Sequence, residues 1–242
     1  MFLFKKKTIT VDAFTPLDQV QEFFEIKRAI EYAPEWWKKL PNSYTENTPQ
    51  GIDIKLSTMK RCAGFIDLYT KGFIMPMWVD TVIKTFADGT YTYVTANGSQ
   101  FISTHDPRQS GELANSTMHL KIGTPWLFKE KTGVNFLFTE PMWNNIATRP
   151  SVRTVPGVVN YKYQHSTHVN LLLPKQNQQI EFNAGEPLTH IIPITEDNVQ
   201  VVCHLVSEEE YLKINSNRLG IFFQKKYDKL KAIQDKKSCP FK

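Results

Sequence analysis

Between about Ile54 and Val206 the chain alternates apolar and polar residues in short runs, broken by turn-forming dipeptides. Toward both ends the apolar residues instead recur every three to four positions. The first pattern predicts half-buried strands and the second amphipathic helices. Near the start, Val20, Phe23, Phe24, Ala29, Ile30 and Ala33 recur at helical spacing with Glu22, Glu25 and Arg28 between them. This predicts one helix from Asp18 to Ala33, with Asp18 as its cap and Gln21 completing a capping box. Pro34 ends it and starts a second turn, Glu35-Trp36-Trp37-Lys38-Lys39-Leu40, which Pro41 closes. Asn42 to Gly51 is polar, contains Pro49, and reads as a loop.

The strand region begins near Ile54, and Phe65-Ile66-Asp67-Leu68-Tyr69 is its first short apolar run. Met77 to Ala87, Thr90 to Ala96 and Gln100 to Thr104 follow, separated by Asp88-Gly89 and Asn97-Gly98. Both dipeptides tolerate positive φ, so the three runs predict a three-strand meander. Thr117 to Ile122, Trp126 to Lys129 and Val134 to Thr139 come next, the last two as a hairpin turning over Glu130 to Gly133. Pro141 to Gly157 is a connection, and further strands are expected at Val158 to Tyr163, His168 to Leu173, Gln178 to Phe182, Leu188 to Ile194 and Val199 to Val206. Many short strands at regular spacing predict a sandwich or barrel. Ser207-Glu208-Glu209-Glu210 is a capping box with acid at the positive end of a helix carrying Tyr211, Leu212 and Ile214. Asn215 to Gly220 breaks that helix, and Phe222, Phe223, Tyr227, Leu230 and Ile233 form a second stripe.

No internal repeat or linker divides the chain. The expectation is one mainly β domain over residues 1–242, a jelly-roll or cupin-like β-sandwich with helices packed at both ends. Its parts are an N-terminal helical segment (1–50), the sandwich (51–206) and C-terminal helices (207–242).

Composition sharpens this picture in three places. With 16 Phe and 5 Trp among 242 residues, the core should be rich in aromatic rings. The net charge of +5 equals the excess of seven lysines over two aspartates between Gln224 and Lys242. Lys225, Lys226, Lys229, Lys236 and Lys237 are therefore candidates to touch nucleic acid or an acidic partner, the alternative being a solvated helix face. Three cysteines with no CxxC spacing point to a reducing compartment rather than a disulfide scaffold. The apolar run Met1 to Phe4 is too short for a signal-peptide core, and no stretch approaches the roughly 20 apolar residues of a membrane span. The expected location is the host cytoplasm or a virion.

Candidate chemistry starts with the histidines. If His165-Ser166-Thr167-His168 is a strand, its two rings face opposite ways. His165 then shares the inward face of Thr167, Val169 and Leu171, and His168 the outward face of Ser166 and Asn170. A metal set of His165, His190 and Glu181, or Glu186 in its place, would suit iron or zinc. Cys203 and His204 are strand neighbours and should face apart. Asp67 and Asp80 lie among apolar residues, as acids with raised pKa or as ion pairs with Arg61 or a lysine. Arg108, Arg149 and Arg153 lie in loops where they could grip an anion. Trp36 and Trp37 beside Lys38 and Lys39, with Trp126 and Trp143, either stack bases or sugars or pin helices and loops to a sheet. A Gly-rich phosphate loop, a nucleophile elbow and zinc-finger spacing are all absent from the sequence.

Several segments carry a resemblance. They are Pro34-Glu35-Trp36-Trp37-Lys38, Arg61-Cys62-Ala63-Gly64 with Asp67-Leu68, and Gly72-Phe73-Ile74-Met75-Pro76-Met77-Trp78-Val79-Asp80. Thr124-Pro125-Trp126, Gly133 with Phe138, and Gly185-Glu186-Pro187 with Ile192-Pro193 complete the set. Together they resemble an uncharacterised family of tailed-phage and bacterial proteins without an established activity. The resemblance implies a phage-type origin and one domain, and carries no catalytic residues. The Gly-Glu-Pro turn before an apolar strand also looks like the strand-turn-strand style of cupins. Cupin metal sites use His-x-His or His-x-Asp/Glu on one inner face, and neither spacing occurs here. The expected function is a non-enzymatic binding or assembly protein, with no cofactor and with a protein or a further copy of itself as partner. The alternative is a cupin-type oxygenase or isomerase using iron or zinc on a small molecule.

Overall fold

Strand β1 (Thr8–Thr15) is the first element in a computed structural model that describes residues 7–215 and Ala232. The apolar stripe from Phe222 to Ile233 and the five candidate lysines of the tail lie outside the described residues. In β1, Ile9, Val11, Ala13 and Thr15 are buried and Thr8 and Thr10 exposed, the period of two that a half-buried strand requires. This strand lies inside the segment expected to be helical.

The helix expected over Asp18 to Ala33 is three pieces: α1 (Asp18–Phe23), β2 (Lys27–Arg28) and a 3₁₀ turn (Ala29–Tyr32). The apolar residues explain the break. Val20 and Ile26 enter the main core, whereas Ala29 and Ala33 enter a second, separate cluster. One straight helix has one apolar stripe and cannot serve both. Asp18 does not cap α1. It is the first helical residue, Leu17 holds the cap position without a side-chain bond, and Gln21 donates to Glu25 instead. Helix α2 (Glu35–Lys39) forms behind Pro34 as expected.

The polar stretch read as a loop is half of a hairpin, β3 (Ser43–Asn47) with β4 (Asp53–Ser57). The run Phe65 to Tyr69 is not a strand but part of α3 (Ala63–Lys71). Short apolar runs do not distinguish the two; here Phe65, Leu68 and Tyr69 pack on the second cluster and Asp67 turns outward to Lys71, 3.2 Å away.

Then come β5 (Phe73–Pro76), β6 (Thr81–Thr85), β7 (Tyr91–Thr95) and β8 (Ile102–Thr104). The β6–β7 hairpin turns at Gly89, φ 84°, as the Asp-Gly signal predicts. The third strand of the meander does not join it: after Asn97-Gly98 the chain leaves this sheet, and β8 pairs with β9 (Thr117–Lys129), Ile102 opposite Ile122. Between them lie two short helices, α4 (Pro107–Ser110) and α5 (Leu113–Ser116). The hairpin expected over Trp126 to Thr139 is likewise absent, because β10 (Asn135–Thr139) belongs to another sheet than β9. The crossing is built by buried Glu130, whose carboxylate accepts the backbone N–H groups of Thr132, Gly133 and Val134.

Helix α6 (Met142–Thr148) and the strands β11 (Arg153–Thr154), β12 (Gly157–Asn160), β13 (Ser166–Pro174), β14 (Gln178–Phe182), β15 (Pro187–Pro193) and β16 (Asn198–Leu205) follow. Helix α7 (Glu208–Asn215) comes last, with Ser207 Oγ accepting the Glu210 N–H.

The fold is mainly β. One sheet runs β11-β13-β9-β1-β16 with β8 also on β9; a second runs β12-β10-β15-β5-β2; a third runs β14-β6-β7; and β3-β4 stands apart. One of the sheets curls into a half-barrel. Strands β1 and β16 pair in parallel, from Thr8 opposite Asn198 to Thr15 opposite Leu205. The first three sheets share one core, which includes Leu120, Trp126, Phe128, Phe136, Phe138 and Tyr161. The second cluster, Ala29, Ala33, Trp37, Tyr69, Ile74 and Trp143, joins α2, α3 and α6 to the other side of β5 and β15. Both faces of β5 are therefore covered, which is why all four of its residues are buried. Of the tryptophans, Trp37, Trp126 and Trp143 are buried pins and Trp36 is half exposed. Among the described residues no helix is long and apolar enough to cross a membrane.

Candidate functional site

The three residues expected as metal ligands lie in three different surroundings. His165 is half-buried just before β13, and its Nδ1 is 2.8 Å from the Phe128 carbonyl oxygen. A register irregularity between Ser166 and His168 interrupts the pairing with β9, so counting faces across His165 to Thr167 fails. Thr167, Val169 and Leu171 are buried and His168 exposed, as alternation predicts. His190 is 1% exposed, but its ring belongs to the helical side of β15, stacked 5.0 Å from Tyr69. Glu181 is exposed on β14 and accepts a 2.6 Å hydrogen bond from Gln179. Among the described residues no three His, Cys, Asp or Glu side chains are grouped to hold a metal ion.

His190 fits its place only because residue 72 is glycine. A Cβ there would lie 2.1 Å from His190 Nε2 and 2.8 Å from the Leu68 carbonyl oxygen. Burial pushes the His190 pKa down to about 4, against a weaker upward pull from the Leu68 backbone. The ring is a neutral structural group at pH 7.

The other candidates are also engaged. Asp67 is exposed and ion-paired to Lys71; Asp80 is exposed and accepts the Ala184 N–H at 2.7 Å. Neither is a buried carboxylate. Cys203 and His204 do face apart. His204 Nε2 lies 2.9 Å from Asp12 across the parallel pair, and burial pushes the Cys203 thiol up to about 11, which makes it a poor nucleophile. Arg108 forks onto Asp106 and Arg153 lies 3.7 Å from Glu140. Arg149 is buried and pairs with Glu186 at 2.6 Å, with Asn145 and two backbone carbonyls taking its remaining Nη bonds. Burial alone would raise the Glu186 carboxyl; hydrogen bonds from Asn183 and Arg149 outweigh it and hold the group below its usual value. This pair fixes the turn between β14 and β15 beside a polar cleft of about 440 Å³. Both Nη groups of Arg149 are taken, while its Nε is buried without a hydrogen-bond partner among the described residues.

The ribbon β3–β4 stands out because none of its residues joins either apolar cluster of the described residues. Its register puts Tyr44, Leu56, Ile54 and Glu46 on one face, and Ser43, Thr45, Asn47, Asp53, Lys55 and Ser57 on the other. Tyr44 is 50% exposed and Ile54 44%. Among the described residues no third strand pairs with either member. A lone two-stranded ribbon is marginal in water, yet the base of this one is clamped. Thr58 donates from its N–H to the Asn42 carbonyl and from its hydroxyl to that of Pro41, and Lys60 Nζ donates to the carbonyls of Lys38 and Leu40. The chain thus presents a short amphipathic ribbon whose apolar side faces solvent. The period-two signal of Tyr44, Ile54 and Leu56 was in the sequence, masked by the polar residues between them. No protein-family model and no curated protein matches this chain.

Proposed function

We propose that this chain is a phage-type, non-enzymatic assembly protein that docks through the β3–β4 ribbon onto a second copy of itself. The exposed apolar face of that ribbon carries the reading. An uncovered strand pair with free edges is a template for further pairing, and the clamp at its base favours display of the ribbon over collapse. Its scaffold reads as a jelly-roll-like sandwich, supported by sheets that share one apolar core; the parallel β1–β16 pair departs from a wholly antiparallel jelly roll. The cupin-type metalloenzyme has less support, because His165, His190 and Glu181 point into separate surroundings.

Sedimentation velocity over a concentration series tests the reading. The wild-type chain should associate. Tyr44→Glu with Ile54→Glu should weaken association at least tenfold, since each buried side chain contributes about 1.5–3 kcal/mol. A chain that stays monomeric, or association indifferent to both changes, overturns the proposal.

A further inference from the structure

Two clefts meet where α6 ends, one polar and one aromatic. The polar cleft of about 440 Å³ lies between residues 148–152 and β14, and includes Asn183 and Glu186 of the turn that follows β14. The aromatic cleft, about 190 Å³, is lined by Pro34 and Trp36 at the start of α2, by Trp143 of α6 and by Pro187. Thr148, Arg149 and Glu186 line both, so the two adjoin as compartments of one groove.

The aromatic compartment presents a ring. Trp36 is 43% exposed, and its neighbour Trp37 is buried and meets it edge-on, with centroids 5.8 Å apart. Trp37 packs in turn on Phe65 and Trp143, so the exposed indole rests on a packed support. The face of an aromatic ring is negative and attracts the weakly positive hydrogens of C–H bonds.

The polar compartment holds N–H groups that lack acceptors. Arg149 is 6% exposed; its Nη groups are bonded, but its Nε is buried and has no partner among the described residues. Gln178 Oε1 accepts from Ser151 Oγ at 3.3 Å and from Gln176 Nε2 at 3.0 Å, which turns its own Nε2 to a place where it too is buried without an acceptor. A buried donor left unpaired costs free energy. Both are shut off from bulk solvent, so an oxygen that enters between the walls is what can serve them. Acceptors stand in the same cleft, in the carboxylates of Glu181 and Glu186 and the hydroxyl of Ser151.

This lining selects its ligand. Among the described residues Arg149 is the one cation lining either compartment, against two carboxylates, so the groove disfavours phosphates and other anions. A wholly apolar ligand would leave the N–H groups unpaired. A sugar has a C–H face for the indole and hydroxyls that both donate and accept. We propose that this groove binds a neutral oligosaccharide, one pyranose ring stacked on Trp36 and the hydroxyls of the next reaching Arg149 and Gln178. The two volumes suit a short oligosaccharide rather than a single ring, within the roughly 300–1,000 Å³ of small-molecule sites. No residue of the β3–β4 ribbon lines the groove, so sugar binding and self-association are separable.

Isothermal titration of the full chain with maltohexaose, cellohexaose and chitohexaose tests this, with hexagalacturonate as the anionic control and a proline decapeptide as the peptide control. At least one neutral sugar should bind with a Kd of about 1 mM or tighter and shift the tryptophan fluorescence of the wild-type chain. Trp36→Ala should weaken that binding roughly tenfold or more, and Trp36→Tyr should keep most of it, because a ring face remains. Gln178→Glu retains the oxygen that Ser151 and Gln176 bind but removes the donor, and should weaken binding severalfold. The Tyr44→Glu, Ile54→Glu chain should bind as the wild type does, whatever its state of association. The fluorescence shift is read without any variant, so it stands even if a substitution disturbs folding. Binding of none of the three neutral sugars, binding of a control alone, or an affinity unmoved by Trp36→Ala in a folded chain overturns the proposal.

Discussion

The two apolar clusters follow different rules. In the main core, β1, β13 and the first half of β9 bury one face more than the other, and their sequences alternate accordingly, whereas Pro125 to Phe128 of β9 are all buried. In the second cluster, α2, α3 and α6 cover the far side of β5 and β15, so β5 reads as an unbroken apolar run and β15 is buried at six of its seven positions, Thr189 and His190 included. The aromatic rings there are in close contact, Tyr69 stacked on Trp143 at 3.4 Å and Trp37 tilted against Trp143 at 4.6 Å. The main core holds the sheets together, whereas the second holds a helical layer against one of them. The difference predicts two grades of stability in one chain. Trp126→Ala should cost about 3–5 kcal/mol and lower the whole unfolding transition in urea. Trp143→Ala should instead loosen the helical layer first, with amide exchange rising in α3 before it rises in β9. Equal loss of protection in both elements would erase the distinction.

The same contrast explains what could be read from the sequence. Where one face is wet, period two located strands well; β14 has the expected bounds, Gln178–Phe182. Where both faces are covered, "inward" has two meanings. His190 was expected in the sandwich interior beside His165, but it faces the helices. Turn signals worked locally at Asp88-Gly89, yet nothing in Asn97-Gly98 says that β8 will choose β9 over β7. Partner choice is a long-range matter settled by the shared core, as Ile102 opposite Ile122 shows.

Acid should separate the clusters as well. His190 is neutral in the fold with a pKa near 4, against about 6.5 in the unfolded chain. A depressed folded-state value means that the unfolded chain binds the proton first. This contribution is fully present above pH 6.5 and drains away between about 6.5 and 4, amounting to about 3 kcal/mol at the lower end. His119, also lowered, adds in the same direction. Urea unfolding at pH 7.5 and 4.5 should show the loss, and His190→Gln should remove most of it. A pH dependence unchanged in that variant would place the sensitivity elsewhere.

The smallest effect tests the close fit of the helical layer, using two glycines near its ends. Gly64 lies inside α3 with no atom within 4 Å of an added Cβ, so Gly64→Ala should stabilise by about 0.5–1 kcal/mol through helix propensity alone. Gly72 follows α3 directly, and its added Cβ would meet His190 Nε2 at 2.1 Å and the Leu68 carbonyl oxygen at 2.8 Å. His190 is stacked on Tyr69 and has little room to retreat, so Gly72→Ala should cost about 1–3 kcal/mol. If overpacking against His190 is the cause, the smaller side chain in His190→Ala should recover part of that loss when combined with Gly72→Ala, a coupling that a double-mutant cycle in urea measures directly. Strict additivity would mean that the Leu68 carbonyl, not the imidazole, sets the limit at residue 72.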